Sequence, residues 1–223
     1  TMSKKRMAPV QPYRYSAKSG SKTHRVHDTP ADMVAAEALR QRLNHLQALY
    51  QLTAALSQAH ALDEIYAAAL AGLHRALGIE RASILLFDAD GVMRFKAYRG
   101  LSEAYRRAVE GHTPWTPDSP NPQPIVVGNV REDPSLASYA AVFEAEDIAA
   151  MAFIPLVSLR RVIGKFMLYY AVPTELAADD IQLATVIASQ VAFAVERTRA
   201  ERQARLSEER LRFALDAASM GTW

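Results

Sequence analysis

Two rhythms of hydrophobic and polar positions divide this chain. From Asp32 to Ala59 the apolar residues recur at helical spacing: Leu39, Leu43, Leu46, Tyr50 and Thr53 step by four, three, four and three, with Leu49, Leu52 and Leu56 alongside. That stripe is wider than a strict two-helix seam, so it predicts a helix packed both on its own domain and on a partner. Ile65, Leu70, Leu73 and Leu77 mark a second helix behind Asp63, stopped at Gly78, where glycine accepts the left-handed conformation cheaply. The rhythm then shortens. Residues 81–87 and 92–98 are β-prone runs joined by Asp88-Ala-Asp-Gly91, a strong hairpin signal. Ile84–Phe87 is apolar on both faces and belongs inside a sheet, whereas Arg94 and Lys96 alternate with apolar neighbours and put the second run nearer an edge.

Ser102 can cap a short helix reaching Glu110. Pro114, Pro117, Pro120, Pro122 and Pro124 then make a stiff, non-helical strap, because proline fixes φ and has no amide donor. A short strand follows at 125–130, then a helix at 135–145 behind Asp133-Pro134, then two apolar runs at 151–157 and 162–171 split by the polar turn Ser158–Arg161. An edge strand, a helix and a returning hairpin describe a sheet with a helical lid. The last predicted element is a helix from about 177 to 218, about 60 Å long against the 35–40 Å of a domain of roughly 140 residues. Its positions Ile181, Ala184, Ala188, Val191, Val195 and Thr198 keep the three-four rhythm of a two-helix seam. With Leu39, Leu43, Leu46 and Tyr50 they form the expected dimer and relay surface. Beyond Thr198 the seam becomes charged (Arg202, Arg205, Glu208, Glu209) and any coiled coil weakens.

Composition narrows the function. Half of the 223 residues are hydrophobic, enough for a core without staples. There is no cysteine, which removes disulfides, thiolate metal sites and cysteine nucleophiles, and fits a reducing, cytoplasmic setting. No uninterrupted apolar run reaches the roughly 20 residues of a membrane span, so none is expected. The net charge of +2 hides an asymmetry: residues 1–30 carry Lys4, Lys5, Arg6, Arg14, Lys18, Lys22 and Arg25 against Asp28, leaving the remainder of the chain acidic. Such a tail could touch nucleic acid or an anionic membrane surface, but without apolar periodicity it reads as a solvated, disordered leader. With no helix pair around a tight turn, no nucleic-acid partner is expected. The six histidines are scattered and form no ligand set with Asp or Glu, so no metal is expected.

Within about residues 40–197 stand, in order, Gly111-His-Thr-Pro-Trp115, Asn129-Val-Arg-Glu-Asp-Pro134, Phe153-Ile-Pro-Leu156, Ile163-Gly-Lys-Phe166 and Ile187-Ala-Ser-Gln-Val-Ala-Phe-Ala-Val-Glu196. With the order of elements, these motifs make the segment resemble the GAF domain, a sensing and dimerising module of bacterial signalling proteins. It implies an α+β fold: a central antiparallel sheet of about six strands, the terminal helices on one face, short helices and the Pro-rich strap on the other. Residues 1–31 are then a basic tail and 32–60 the N-terminal helix packed on the sensory domain 61–197. Residues 198–223 are a linker helix whose ending, from Ser207 to Trp223, resembles the entry helix of a PAS domain. One departure is the hairpin turn, where Leu159-Arg160-Arg161 stands where relatives often place glycine. A left-handed arginine costs about 1–2 kcal/mol, so a different turn type is expected.

The resemblance also implies a pocket under the segment 111–124. His112 and Trp115 stand at its mouth, Tyr139, Phe143, Phe153 and Phe166 form walls, and Asn129 lies near the helix start. Imidazole and indole suit a planar ligand; equally, Trp115 can fill the core, His112 can bond locally and Asp133 can cap the helix behind it. No cofactor is required, and the ligand, a small molecule, is unidentified. The methionine-sulfoxide reductase branch of the family and covalent bilin attachment both need cysteine and are excluded. The cyclic-nucleotide signature of Asn-Lys and Asp/Glu is not found. The resulting expectation is a non-enzymatic sensory module in a homodimer, within a sensor histidine kinase or cyclic-di-GMP protein, passing ligand binding to downstream PAS and output domains. The alternatives are the ligand domain of a transcription regulator, or a non-covalent bilin or haem sensor.

Overall fold

The computed structural model describes residues 30–220, so the expected basic tail lies outside the described residues except for Pro30 and Ala31, which open the first helix. The elements run α1 (Pro30–Gln58), α2 (Leu62–Leu77), β1 (Arg81–Phe87), β2 (Met93–Arg99), α3 (Glu103–Ala108), β3 (Ile125–Val127), a 3-10 turn (Pro134–Tyr139), α4 (Ala140–Ala145), β4 (Ala150–Ser158), β5 (Arg161–Tyr170) and α5 (Ala178–Met220). The chain divides into two units, residues 1–38 and 39–223. In the first, the described residues are the opening of α1; everything below concerns the second.

Five strands form one antiparallel sheet in the order β2-β1-β5-β4-β3, with β1 inside and β2 at an edge as their patterns require. The fold is α+β, with five strands where about six were expected. The segment with Pro114, Pro117, Pro120, Pro122 and Pro124 lacks the amide donors a further ladder would need. Strand alternation sorts the core into two halves. Ala152, Ile154 and Leu156 of β4, with Phe166 and Leu168 of β5, point toward α1, α2 and α5, where they meet Leu52, Ile65, Leu73 and Val191. Met151 and Phe153 of β4, with Met167 and Tyr169 of β5, point the other way, under Tyr105 of α3, Leu136 of the 3-10 turn and Phe143 of α4. Each large apolar side chain so buried stabilises the fold by about 1.5–3 kcal/mol.

The stripe Ala184, Ala188, Val191 and Val195 of α5 is buried in the first half-core, and Ile181 is half-buried beside it. This corrects the expectation that these five positions form an inter-chain seam: a three-four rhythm serves equally well against a sheet, and here the helix spends it on its own domain. The outward face of α5 instead carries Val186 and Phe193, and residues 200–217 are exposed throughout. One stretch of α5 is long and apolar enough by length and composition to cross a membrane, but Leu183, Ile187 and Ala192 within it are buried against the protein itself.

The turn between β4 and β5 is also a correction. Leu159 and Arg160 both have positive φ, 47° and 65°, as a two-residue hairpin loop of the primed kind demands. Pairing of Ser158 with Arg161 and of Val157 with Val162 leaves no room for another turn type, so sheet twist overrides residue preference. Close to it, Gly164 is required by contact: a Cβ there would lie 2.1 Å from the Leu85 carbonyl oxygen and 2.5 Å from Leu86 Cδ2. Arg160→Gly is therefore expected to stabilise the fold by about 1 kcal/mol. Gly164→Ala, which forces β1 away from β5, is expected to cost several times as much. Urea unfolding of both variants checks the pair; an arginine as stable as glycine at position 160 would contradict the left-handed turn.

Candidate functional site

A cavity lies between the second face of the sheet and its lid. Its floor is Leu85, Met151, Phe153, Lys165, Met167 and Tyr169; Phe95 of β2 closes one side. Tyr105 and Val109 of the α3 segment, His112, Leu136, Tyr139 and Phe143 form the roof. The volume open to the centre of a water molecule is about 20 Å³. That admits a single water at most, so any larger occupant requires side chains to move.

The roof is fixed by a network reaching across the sequence. Arg81 at the start of β1 donates from Nε to the Gly100 carbonyl (3.0 Å) and from its terminal nitrogens to the carbonyls of Asp147 (2.9 Å) and Glu146 (2.5 Å). The Glu146 carboxylate lies 3.3 Å from Arg81 and accepts from the Ser102 amide (2.7 Å) and the Ser102 hydroxyl. Ser102 in turn caps α3 by accepting from the Tyr105 amide at 3.1 Å. One ion pair thus ties both lid helices to the start of the inner strand β1. The strap is tied to β5 at two points: the Val162 amide donates to Pro117 O (2.9 Å) and Lys165 Nζ donates to His112 O (2.7 Å).

Aromatic rings supply most of the lining. Tyr105 meets Tyr169 edge-on at 5.6 Å, Tyr139 lies 6.1 Å from Phe143, and the His112 ring lies 5.1 Å from that of Tyr139. The Tyr169 hydroxyl is paired with Ser83 Oγ at 3.0 Å, and burial pushes its pKa up to about 12. Burial likewise pushes Tyr105 up. His112 is lowered, first by burial and then by the Lys165 charge. Lys165 is only 3% exposed, its Nζ lies 5.1 Å from the Phe153 ring centre, and burial pulls its pKa down to about 7.

Of the predicted ligand residues, the fold brings His112, Tyr139, Phe143 and Phe153 together around this cavity. It does not bring Trp115, Asn129 or Phe166 there. Trp115 is buried in the core beside the strap. Asn129 spends its side chain locally, donating to Glu132 (2.7 Å) and accepting from the Arg131 amide (3.1 Å). Phe166 is the corrected residue: it is fully buried toward α5, because one step along β5 from Lys165 reverses the face. Asp133 caps the 3-10 turn, accepting from the Ser135 amide at 2.9 Å. Lys165, Tyr105 and Tyr169 were missed. The signal for Lys165 was present, since it is the one charge inside the apolar run from Val162 to Tyr170. Among the described residues, no group of three or more His, Asp or Glu is placed to hold a metal ion.

A family model for the GAF domain matches residues 61–195. Among solved structures, a domain of a protein designated a two-component sensor histidine kinase from Sinorhizobium meliloti 1021 is 46% identical, with a TM-score of 0.62, covering 66% of this chain and 99% of its own. The GAF domain of a phosphoenolpyruvate-protein phosphotransferase from Coxiella burnetii is 17% identical, with a TM-score of 0.60, covering 72% of this chain and 98% of its own. A protein in a far-red-absorbing dark state with bound biliverdin IXa is 17% identical, with a TM-score of 0.55, covering 68% of this chain and 99% of its own. These last two show the shared fold. No curated protein matches the chain.

The Lys165 environment has a consequence for stability. Its pKa is about 7 folded and returns toward 10.5 when the chain unfolds, so between these values the unfolded chain binds more protons. Stability then rises with pH across that window, and below it the full cost of burying an ammonium remains. Relative to Lys165→Met, which lacks the group, the wild type is expected to gain up to about 1.4 kcal/mol per pH unit on going from pH 7 to 9. Urea unfolding at both pH values checks this; a difference between the two proteins that ignores pH would mean the amine is solvated.

Proposed function

The chain belongs to the GAF domain family, and from that premise we propose that it is a non-enzymatic, cytoplasmic sensory module of a bacterial signalling protein of the sensor histidine kinase kind, acting as a homodimer. The observation that carries the reading is the back-to-back use of β4. Met151 and Phe153 line the cavity, while Ala152 and Ile154 between and beside them pack in the half-core that holds α5. An occupant that shifts the first pair also shifts the second, and so biases the seating of α5. A coupling of about 1–3 kcal/mol is enough for such a relay. The 46% identical domain from a designated sensor histidine kinase supports this output over a transcription regulator.

The relay needs something to act on. Residues 200–217 form an exposed helix about 27 Å long, with Leu206, Leu211, Phe213 and Leu215 in solvent. A helix of that length is marginal in water without packing. Leu39, Leu43, Leu46 and Tyr50 are 56–77% exposed and keep the four-three-four spacing of a strict coiled-coil seam, while the inner stripe Leu52 and Leu56 is buried. A self-matching stripe of this kind fits a second copy of the chain. In the proposed dimer these α1 faces pair, Val186 and Phe193 lie alongside, and the two α5 helices run on toward a PAS-like and an output domain.

A pigment is the second reading, raised by the biliverdin-bound relative. The chain has no cysteine for a covalent bond, and a cavity of about 20 Å³ is far from the room a tetrapyrrole takes. Biliverdin mixed with the protein is expected to keep the spectrum of the free pigment; a sharpened, red-shifted band would turn the reading toward a photosensor. Pairing is tested by sedimentation. The wild type is expected to run as a dimer, and Leu43→Glu with Leu46→Glu as a monomer of unchanged helicity. A wild type that stays monomeric would remove the homodimer.

A further inference from the structure

Lys165 is the feature of the cavity that a hydrophobic core does not explain. Its neighbours on β5, Phe166 and Met167, are apolar, and the residues lining the cavity include no carboxylate. Among the described residues its one hydrogen bond is to the His112 carbonyl. An ammonium carries three N–H donors, so two remain for the space among the aromatic rings. The side chain is 3% exposed, and a buried charge with no counter-charge is costly. Everything else facing that space, apart from His112, is aromatic or aliphatic apart from tyrosine hydroxyls. A single cationic donor in the lining of an otherwise largely apolar chamber is complementary to an amphiphile with one anionic head.

We infer that the cavity takes a small apolar monocarboxylate, its head paired with the Lys165 ammonium and its hydrocarbon body lying against Tyr139, Phe143 and Phe153. This rests on the sensory reading above and specifies its ligand class. Entry requires the floor to yield, and Met151 and Met167, unbranched and adaptable, are the side chains able to do so. The bound carboxylate would give the buried ammonium the charged partner it lacks, and such a charge-assisted bond is about twice as strong as a neutral one. With two donors turned to the ligand, the third keeps its bond to the His112 carbonyl, so the head group would be held at the point where the strap meets β5.

The test uses the full 223-residue chain with labelled methionine methyl groups and two probes of matched shape, sodium benzoate and benzyl alcohol. Benzoate is expected to shift the Met151 and Met167 signals saturably, about tenfold or more tighter than the alcohol, as a charged hydrogen bond implies. In Lys165→Met, an apolar replacement of similar length, that preference is expected to vanish while the alcohol still binds. If the alcohol enters the wild type as well as benzoate does, the anionic assignment is overturned and the sensory cavity stands. If neither probe moves either methyl, the chamber is closed core, and the inference and the sensory reading fall together. The wild-type comparison decides the matter even where the variant does not fold.

Discussion

The molecule depends on the approach of β5 to β1 at Gly164. Because no side chain stands there, the Leu85 backbone can lie against β5, and the ladder between these two strands runs from Arg81–Tyr169 up to its last pair, Leu86–Gly164. Everything on either side of the sheet is set by the resulting register. With Leu85 opposite Lys165 and Ile84 opposite Phe166, one face receives the lysine and the other the phenylalanine. A slip of one residue would carry the ammonium under α5 and the ring into the cavity. Sheet register, core division and cavity chemistry are therefore one fact.

From that register the two layers acquire different characters. The face under α1, α2 and α5 is mostly aliphatic, with the rings of Phe166 and Tyr66 among the buried side chains. The opposite face is rich in rings and methionine and is roofed by short helices held by side-chain bonds to Arg81 and Glu146. Short elements tied by a polar network open at less cost than a packed helical layer. A second polar tie joins the helices themselves: Arg197 of α5 donates to the Leu56 carbonyl at the end of α1 (3.0 Å), and Thr53 donates to Gln190 (3.0 Å). The positively charged guanidinium suits the negative end of α1. In the proposed relay these bonds would couple α5 to the helix bearing the exposed leucine stripe.

Much of this was legible in the sequence, and the failures share a cause. Helix α2 with its stop at Gly78, the Asp-Gly hairpin, the Ser102 and Asp133 caps and the central place of β1 all follow from local chemistry, and local chemistry is what a sequence displays. His112, Tyr139, Phe143 and Phe153 came from family likeness and do meet at one cavity. Phe166 failed because facing on a strand apolar on both sides cannot be read from its own pattern. The α5 stripe failed because periodicity marks a buried face without saying what buries it. The hairpin turn failed because strand twist, a property of the whole sheet, outweighed the preference of Leu159 and Arg160. The Arg81–Glu146 tie had no signal at all: its partners lie 65 residues apart.

The cost of Lys165 bears on what the domain is for. A methionine or leucine at that point would fill the same space, satisfy the core and spare the burial of an amine, and such replacements of buried charge are often neutral or stabilising. Its bond to the His112 carbonyl fixes one point of a strap that five prolines already stiffen and that Val162 already holds through Pro117. The structural return is small against the expense. Proteins keep such a deficit where activity draws on it, since sites for binding are seldom optimised for stability. Lys165, enclosed by rings, stands one residue from the helix-facing Phe166, so under the proposed reading the head-group contact and the layer against α5 occupy adjacent positions of one strand. That adjacency is the shortest path by which a bound head group could be felt at α5.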